Sequence, residues 1–329
     1  MRILALLLLS VALPIGAAHA AEPPVLRVST QMKDYIETFA LSGVLNDAPY
    51  RVEWSLLGTA TDETASLLAN TTDLALAEGT VSVTLQQGGS QKSRADGQVP
   101  VTIIAAYVPR DSVHYKSMVT LVRADGPIHT PSDLKGHSIT FKKGGNMNTQ
   151  ALLSVKKGGL TPQDVTFVEL NPAEGLIAFR SGQVDALTNG PALVQSLVDS
   201  GKARVLLTNT DVDFPAGLAT VVRTADLKDA AREATIRDFF HRVRRWNDWK
   251  ASHEAEVEKV LIQTNHLKPE TAAYLARADI NDPVQVDAAF LATEQRIADA
   301  LFEAAGIPRR VDVSLQYDTR LNADIAAGQ

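Results

Sequence analysis

The chain has no cysteine among its 329 residues. That excludes disulfides, thiolate metal sites and a lipid-modified N-terminal cysteine. Histidine is sparse: the seven present lie far apart and make no HExxH or other paired spacing, so no metal site is expected. The G-x-S-x-G elbow of a serine hydrolase is missing as well. Positive charge is not in excess, and a net formal charge of −6 argues against a nucleic-acid partner. Aromatic residues make up only 5% of the chain, which suits a polar pocket better than a stacking one. Beyond the first 20 residues no apolar run approaches the about 20 residues that a membrane span needs. There is also no low-complexity tract and no internal repeat.

What is present begins with Met1-Arg2, an apolar run over residues 3–13, and the small-x-small end Ala18-His19-Ala20. These fit a secretory signal peptide over residues 1–20 with cleavage after Ala20. Pro14 and Gly16 interrupt the run, which leaves it too short for an anchor. The remainder is expected free in the periplasm, not lipid-anchored.

Its length favours two lobes, since single cores stop growing at about 250–300 residues. Residues 25–29, 50–57, 74–77 and 101–107 read as strands, and 35–45 and 64–69 as helices between them. Alternating strand and helix predicts a parallel sheet. Residues 87–100 read as a solvated loop. After a polar passage over 109–116, a second block of the same kind runs from 118 to 207. A second polar passage over 208–217 leads into a strand at 218–222. Residues 226–306 read throughout as helix, with breaks near Ser252, Lys268-Pro269 and Asp282-Pro283. Within that tail, Phe239, Phe240, Val243, Trp246 and Trp249 recur at helical spacing and are expected in the core. Arg237, Arg242, Arg244, Arg245 and Lys250, interleaved with acids, are expected on a solvated face.

The stretch that organises the chain is residues 132–185. Ser138-Ile139-Thr140-Phe141 reads as a short strand, Lys142-Lys143-Gly144-Gly145 as a turn, and the residues from Asn146 to Lys157 as a helix. Paired glycines admit close backbone approach, and the free N–H groups and positive dipole end of a helix favour an anion.

Ser132-Asp133-Leu134-Lys135-Gly136, then Lys143-Gly144-Gly145-Asn146, Gly158-Gly159-Leu160 and Gly182-Gln183-Val184-Asp185-Ala186 follow in one order. That order resembles the periplasmic solute-binding proteins of ABC importers, in the sulfonate, nitrate, taurine and thiamine-precursor group. The resemblance implies an α/β, two-lobed type II periplasmic binding protein: each lobe a mostly parallel sheet flanked by helices, a two-strand hinge, and a helical C-terminal tail. Residues 21–110 and 216–329 would form one lobe, and 111–215 the other with the hinge crossings. It also implies capture of a small anionic or zwitterionic organic molecule, a membrane permease with its ATPase as partner, no cofactor, no catalysis, and a monomer. A periplasmic sensor for a membrane receptor and a thiamine-pyrimidine-synthase-like enzyme stand as alternatives. Against the second, that enzyme family carries a cysteine-rich motif that this chain, with no cysteine, cannot match.

In open α/β sheets ligands bind beyond the carboxyl ends of the strands. The candidate site is therefore Thr30, Gln31, Met32, Gly58, Thr59, Glu78, Gly79 and Thr80 from the first lobe, with Gly144, Gly145, Asn146, Met147 and Asn189 from the second. Glu78 would either pair with a ligand ammonium or cap the helix that follows it. Two departures from the family pattern bear on the ligand. Gly145 stands where a KGS or KGT motif carries a hydroxyl, and Leu187-Thr188-Asn189-Gly190-Pro191 lacks the aromatic residue that many relatives place there.

Overall fold

The computed structural model describes residues 23–77, 79–89, 99–304 and 306–328, and the expected signal peptide and Glu78 lie outside them. The first lobe opens with β1 (Val25–Thr30), α1 (Lys33–Ser42), β2 (Arg51–Leu56), α2 (Ala60–Leu68), β3 (Leu74–Ala77), α3 (Thr80–Gly89) and β4 (Val101–Pro109). The chain then passes to β5 (Val119–Arg123), β6 (Ser138–Phe141), α4 (Asn146–Lys157), β7 (Thr166–Glu169), α5 (Pro172–Ser181), β8 (Ala186–Asn189), α6 (Pro191–Asp199) and β9 (Ala203–Thr208). It returns through β10 (Leu218–Arg223), α7 (Ala230–Ser252), α8 (Glu254–Asn265), α9 (Pro269–Ala278), β11 (Asn281–Val284), α10 (Ala288–Glu303) and α11 (Asn322–Ala326).

Two sheets result, ordered β11-β4-β10-β3-β1-β2 and β7-β6-β8-β5-β9. The two-lobed α/β fold is the expected one, but the sheets are mixed, not mostly parallel. β1 runs parallel to β2 and β3, whereas β10 runs antiparallel to both β3 and β4, and β5 antiparallel to both β8 and β9. The crossings explain this. The chain leaves the first sheet at the carboxyl end of β4 and re-enters it at that same end, so β10 must run against its neighbours. β5 enters the second sheet under the same constraint.

A second correction concerns the tail. The Asp282-Pro283 break is no mere gap between helices but β11, which pairs antiparallel with β4 at the edge of the sheet. Proline is tolerated there because an edge strand has one unpaired side.

The first core forms where α7 lies on α1. Phe239, Phe240, Val243 and Trp246 are buried as expected, and Trp246 stacks on Phe39 with ring centroids 4.3 Å apart. Trp249 instead joins a separate cluster with α8 and α9. The expected solvated face is also corrected. Arg242 is 4% exposed and Lys250 2%. Arg242 donates to Asp47, Asp238 and the Val44 carbonyl, while Lys250 reaches Asp279 and lies 4.0 Å from the Trp246 ring centroid. Their stems sit among apolar neighbours while each charge finds a fixed partner.

α7 is started by Asp229, whose carboxylate accepts from the Ala231 and Arg232 N–H groups at 2.9 and 3.1 Å. Asp229→Ala is expected to cost about 1 kcal/mol, read as a thermal-midpoint loss of roughly 2–4 °C.

The last long helix bridges the lobes. Ile297 and Leu301 of α10 share a cluster with Met147, Leu152 and Leu153 of α4, Val81 of α3, and Phe214 and Ala216 of the return crossing. α4 is therefore held by packing well outside its own sheet.

Candidate functional site

The carboxyl ends of β1, β2 and β6 converge on one pocket of about 370 Å³, part of it open to solvent. Gln31, Thr59 and Ala60 line it from the first lobe, and Lys142, Lys143, Gly144, Gly145, Asn146, Met147 and Pro172 from the second. None of these described residues is aromatic. Lys142 Nζ donates to the Gly58 carbonyl at 3.3 Å, linking the lobes across the pocket. A Cβ on Gly144, whose φ is +93°, would come within 3.2 Å of Thr61 Oγ1, and one on Gly79 within 2.2 Å of Asn146 Oδ1. At both places backbone from one lobe meets a side chain from the other.

Three helix N-termini face this pocket, and their electrostatics differ. α5, which begins at Pro172, is capped by Asn171 and carries Glu174 in its first turn. α2 is capped by Thr59, which accepts from the Asp62 N–H at 3.1 Å, and it carries Asp62 and Glu63 in its first turn. α4 begins at Gly145 with no side-chain cap and no acid in its first turn. Its first helical bond is that of the Thr149 N–H to the Gly145 carbonyl at 3.1 Å. The preceding N–H groups point out of the helix, as in any first turn, and here Lys142 and Lys143 flank them. An anion is therefore favoured at α4 and disfavoured at α2. Below it, Gln31 Nε2 donates to the buried Glu63 Oε2 at 2.9 Å, which fixes one wall of the pocket.

Of the candidates named from the sequence, the structure brings together Gln31, Gly58, Thr59, Gly79, Gly144, Gly145, Asn146 and Met147. The remaining four described candidates turn elsewhere. Thr30 is buried, and its hydroxyl accepts from the Met32 N–H at 3.2 Å. Met32 packs on the first core. Thr80 bonds the buried carboxyl of Glu294, whose pKa burial pushes up. Asn189 Nδ2 donates to the Pro172 carbonyl at 3.0 Å while its Oδ1 accepts from the Gly190 N–H at 2.8 Å, so it shapes the wall without lining the pocket. Ala60, Lys142, Lys143 and Pro172 line the pocket outside the candidate set, Ala60 directly after Thr59. The two lysines follow β6 directly, so the strand-end rule already pointed to them. Pro172 follows β7, whose end the rule also covers.

Among the described residues no group of three His, Cys, Asp or Glu could hold a metal ion.

A model of the NMT1/THI5-like family matches residues 69–256, more than half of the chain and all of the second sheet. The chain belongs to the NMT1/THI5-like family. An aliphatic sulfonates-binding protein of Escherichia coli (strain K12) is 28% identical over 208 residues, 63% of this chain and 64% of the relative's own length. The fold is also that of the alkanesulfonate-binding protein SsuA from Xanthomonas axonopodis pv. citri, solved bound to MOPS. The TM-score is 0.74 at 22% identity, over 91% of this chain and 99% of that one. A desulfurization enzyme, DSZB, shares the fold at a TM-score of 0.60 and 15% identity, over 93% of this chain and 99% of that one. The resemblance to periplasmic solute-binding proteins, read from residues 132–185, thus holds.

In this NMT1/THI5-like chain Gly145 is the N-cap of α4 with φ −150° and ψ −159°, extended backbone open to any residue. Glycine is not required there by conformation. Its effect is to leave the α4 N–H groups without a competing side-chain acceptor.

Proposed function

We propose that this protein is the solute-binding component of an ABC importer in the periplasm, where it captures a small organic acid and delivers it to a membrane permease and its ATPase. Residues 21–110 with 216–329 would form one lobe and 111–215 the other, closing by rotation about the two crossings. The observation that carries the proposal is the asymmetry of the pocket: an uncapped helix N-terminus with two lysines on one wall, a capped and acid-bearing one on the other. The acid group docks on α4, and ligand drives closure only by binding the closed form better.

Turnover is the competing reading, because a desulfurization enzyme has the same fold. Among its described lining residues the pocket offers no cysteine, histidine or carboxylate to act as nucleophile or proton carrier.

The test is thermal unfolding against sulfonates, carboxylates, nitrate, phosphate and pyrimidines. An acid at about 100 times its dissociation constant is expected to add roughly 2.7 kcal/mol of stability. Mass spectrometry of the bound acid after incubation should return it unchanged. No shift with any acid, or a converted product, would sink the proposal.

A further inference from the structure

We propose that the pocket selects an acid that carries its own hydrogen-bond donor, and that the side-chain carbonyl of Asn146 reads that donor. The proposal rests on the binding role above and names the ligand class of the same site.

Asn146 is the first residue of α4 and lines the pocket, yet it is only 5% exposed. Its Oδ1 is enclosed and has no hydrogen-bond partner among the described residues. The amide points across the cleft at Gly79, where a Cβ would lie 2.2 Å from Oδ1. Gly79 has φ +75°, a conformation that glycine adopts without strain. The lobes therefore close over Asn146, leaving its carbonyl dry and unpaired.

The charged groups on this wall and the first-turn N–H groups of α4 beside them are donors: the ammonium groups of Lys142 and Lys143 and the free amides ahead of Thr149. An anionic oxygen satisfies donors but offers no hydrogen to an acceptor. Closing around a plain acid leaves Asn146 Oδ1 unpaired beside the ligand's lone pairs. An acid bearing a hydroxyl, amide or ammonium one or two atoms from its charged group satisfies both sets at once. A buried polar group left unpaired is penalised. The donor thus makes closure favourable, and selection comes from the penalty on the ligand that lacks it. Gln150, one turn further on, also has an unpaired Oε1. Its amide nitrogen faces Thr120 and Ser154 inside the second lobe at 3.4 and 3.5 Å, so it does not take part.

The experiment is calorimetric binding of matched acids to the whole secreted chain: 2-hydroxyethanesulfonate and 2-aminoethanesulfonate against ethanesulfonate, and lactate against propionate. The donor-bearing member of a pair is expected to bind roughly tenfold to a hundredfold more tightly. Asn146→Leu, similar in shape but without the carbonyl, should bring that ratio close to one, chiefly by weakening the donor-bearing acid. Asn146→Ala, favourable in a helix, serves as the second variant with the same expectation. Equal binding by the native protein, a preference for the donor-free acid, or a ratio unchanged in both variants would overturn the inference while leaving the binding role standing. A preference for the donor-free acid would mean that the amide presents its NH₂ group instead. Failure of every acid to bind overturns the binding role and this inference together.

Discussion

Gly145→Asp is expected to weaken acid binding about a thousandfold while making the folded protein slightly more stable. The two effects have opposite signs because one site serves two purposes. Gly145 is the N-cap of α4 in extended backbone, so aspartate fits without strain, and its carboxylate can accept from the first-turn N–H groups. Over glycine, such a cap and its charge near the dipole add about 0.5 kcal/mol. The same carboxylate occupies the donors that the ligand needs and sets a second negative charge about 4 Å from the ligand's own. At the effective dielectric near a protein surface that repulsion is about 4 kcal/mol, or three powers of ten in affinity. Calorimetry and thermal unfolding on one preparation measure both effects. Gly145→Ser is the control: it restores the hydroxyl of the family motif without the charge, and binding should survive. Unchanged affinity in Gly145→Asp would remove α4 from the site, and weakened affinity in a variant that melts higher cannot be put down to loss of fold.

Asp73→Asn is expected to destabilise the protein by about 3–5 kcal/mol, a large share of an ordinary domain's stability. Asp73 precedes β3, and its side chain is 4% exposed. Its carboxylate accepts from Arg27 Nη2 at 2.6 Å, from the Arg27 N–H at 2.9 Å and from Arg232 Nη1 at 2.8 Å, with Arg223 Nη2 at 3.3 Å. One side chain therefore ties β1 and β10 to the first turn of α7, and neutralising it leaves three guanidinium groups balanced only in part by Asp226, 2.6 Å from Arg223 and 3.9 Å from Arg232. Burial alone would raise its pKa, but the hydrogen bonds from Arg27 and Arg232 outweigh that and hold it well below the usual carboxylate range. A carboxyl with a depressed folded pKa contributes stability above its unfolded value of about 3.9 and loses it as the pH falls toward the folded value. Native stability should then fall steeply below about pH 4, and the Asp73→Asn curve should fall less. Denaturant midpoints from pH 2 to 7 measure this. Parallel curves would show that the cluster contributes no acid sensitivity.

The strand, glycine turn and helix around residues 138–157 could be read directly from the chain, because each depends on neighbours a few positions away. β-branched residues favour extended backbone, glycines permit the turn, and the apolar spacing beyond them suits a helix. The buried stripe of α7 was legible for the same reason, since 3.6-residue periodicity is a local property. The alternation of strands and helices likewise sufficed for a two-lobed α/β fold.

What lay beyond the sequence depended on partners far along the chain. Strand direction in the mixed sheets follows from where the crossings leave and re-enter, which no single strand encodes. Arg242 and Lys250 look solvated beside their helical neighbours, yet Asp47 and Asp279, almost 200 and about 30 positions away, draw them inward. Thr80 and Asn189 stand at strand ends like the residues that line the pocket, but Glu294 and Pro172 claim their side chains. Asn146 is the reverse case. Its place at the start of α4 was written in the local pattern, while the unpaired carbonyl pressed on Gly79 exists only because two lobes close over it. Local geometry follows from torsional preference and spacing along the chain. Which polar groups are left dry and unpaired is decided only when distant surfaces meet and exclude water.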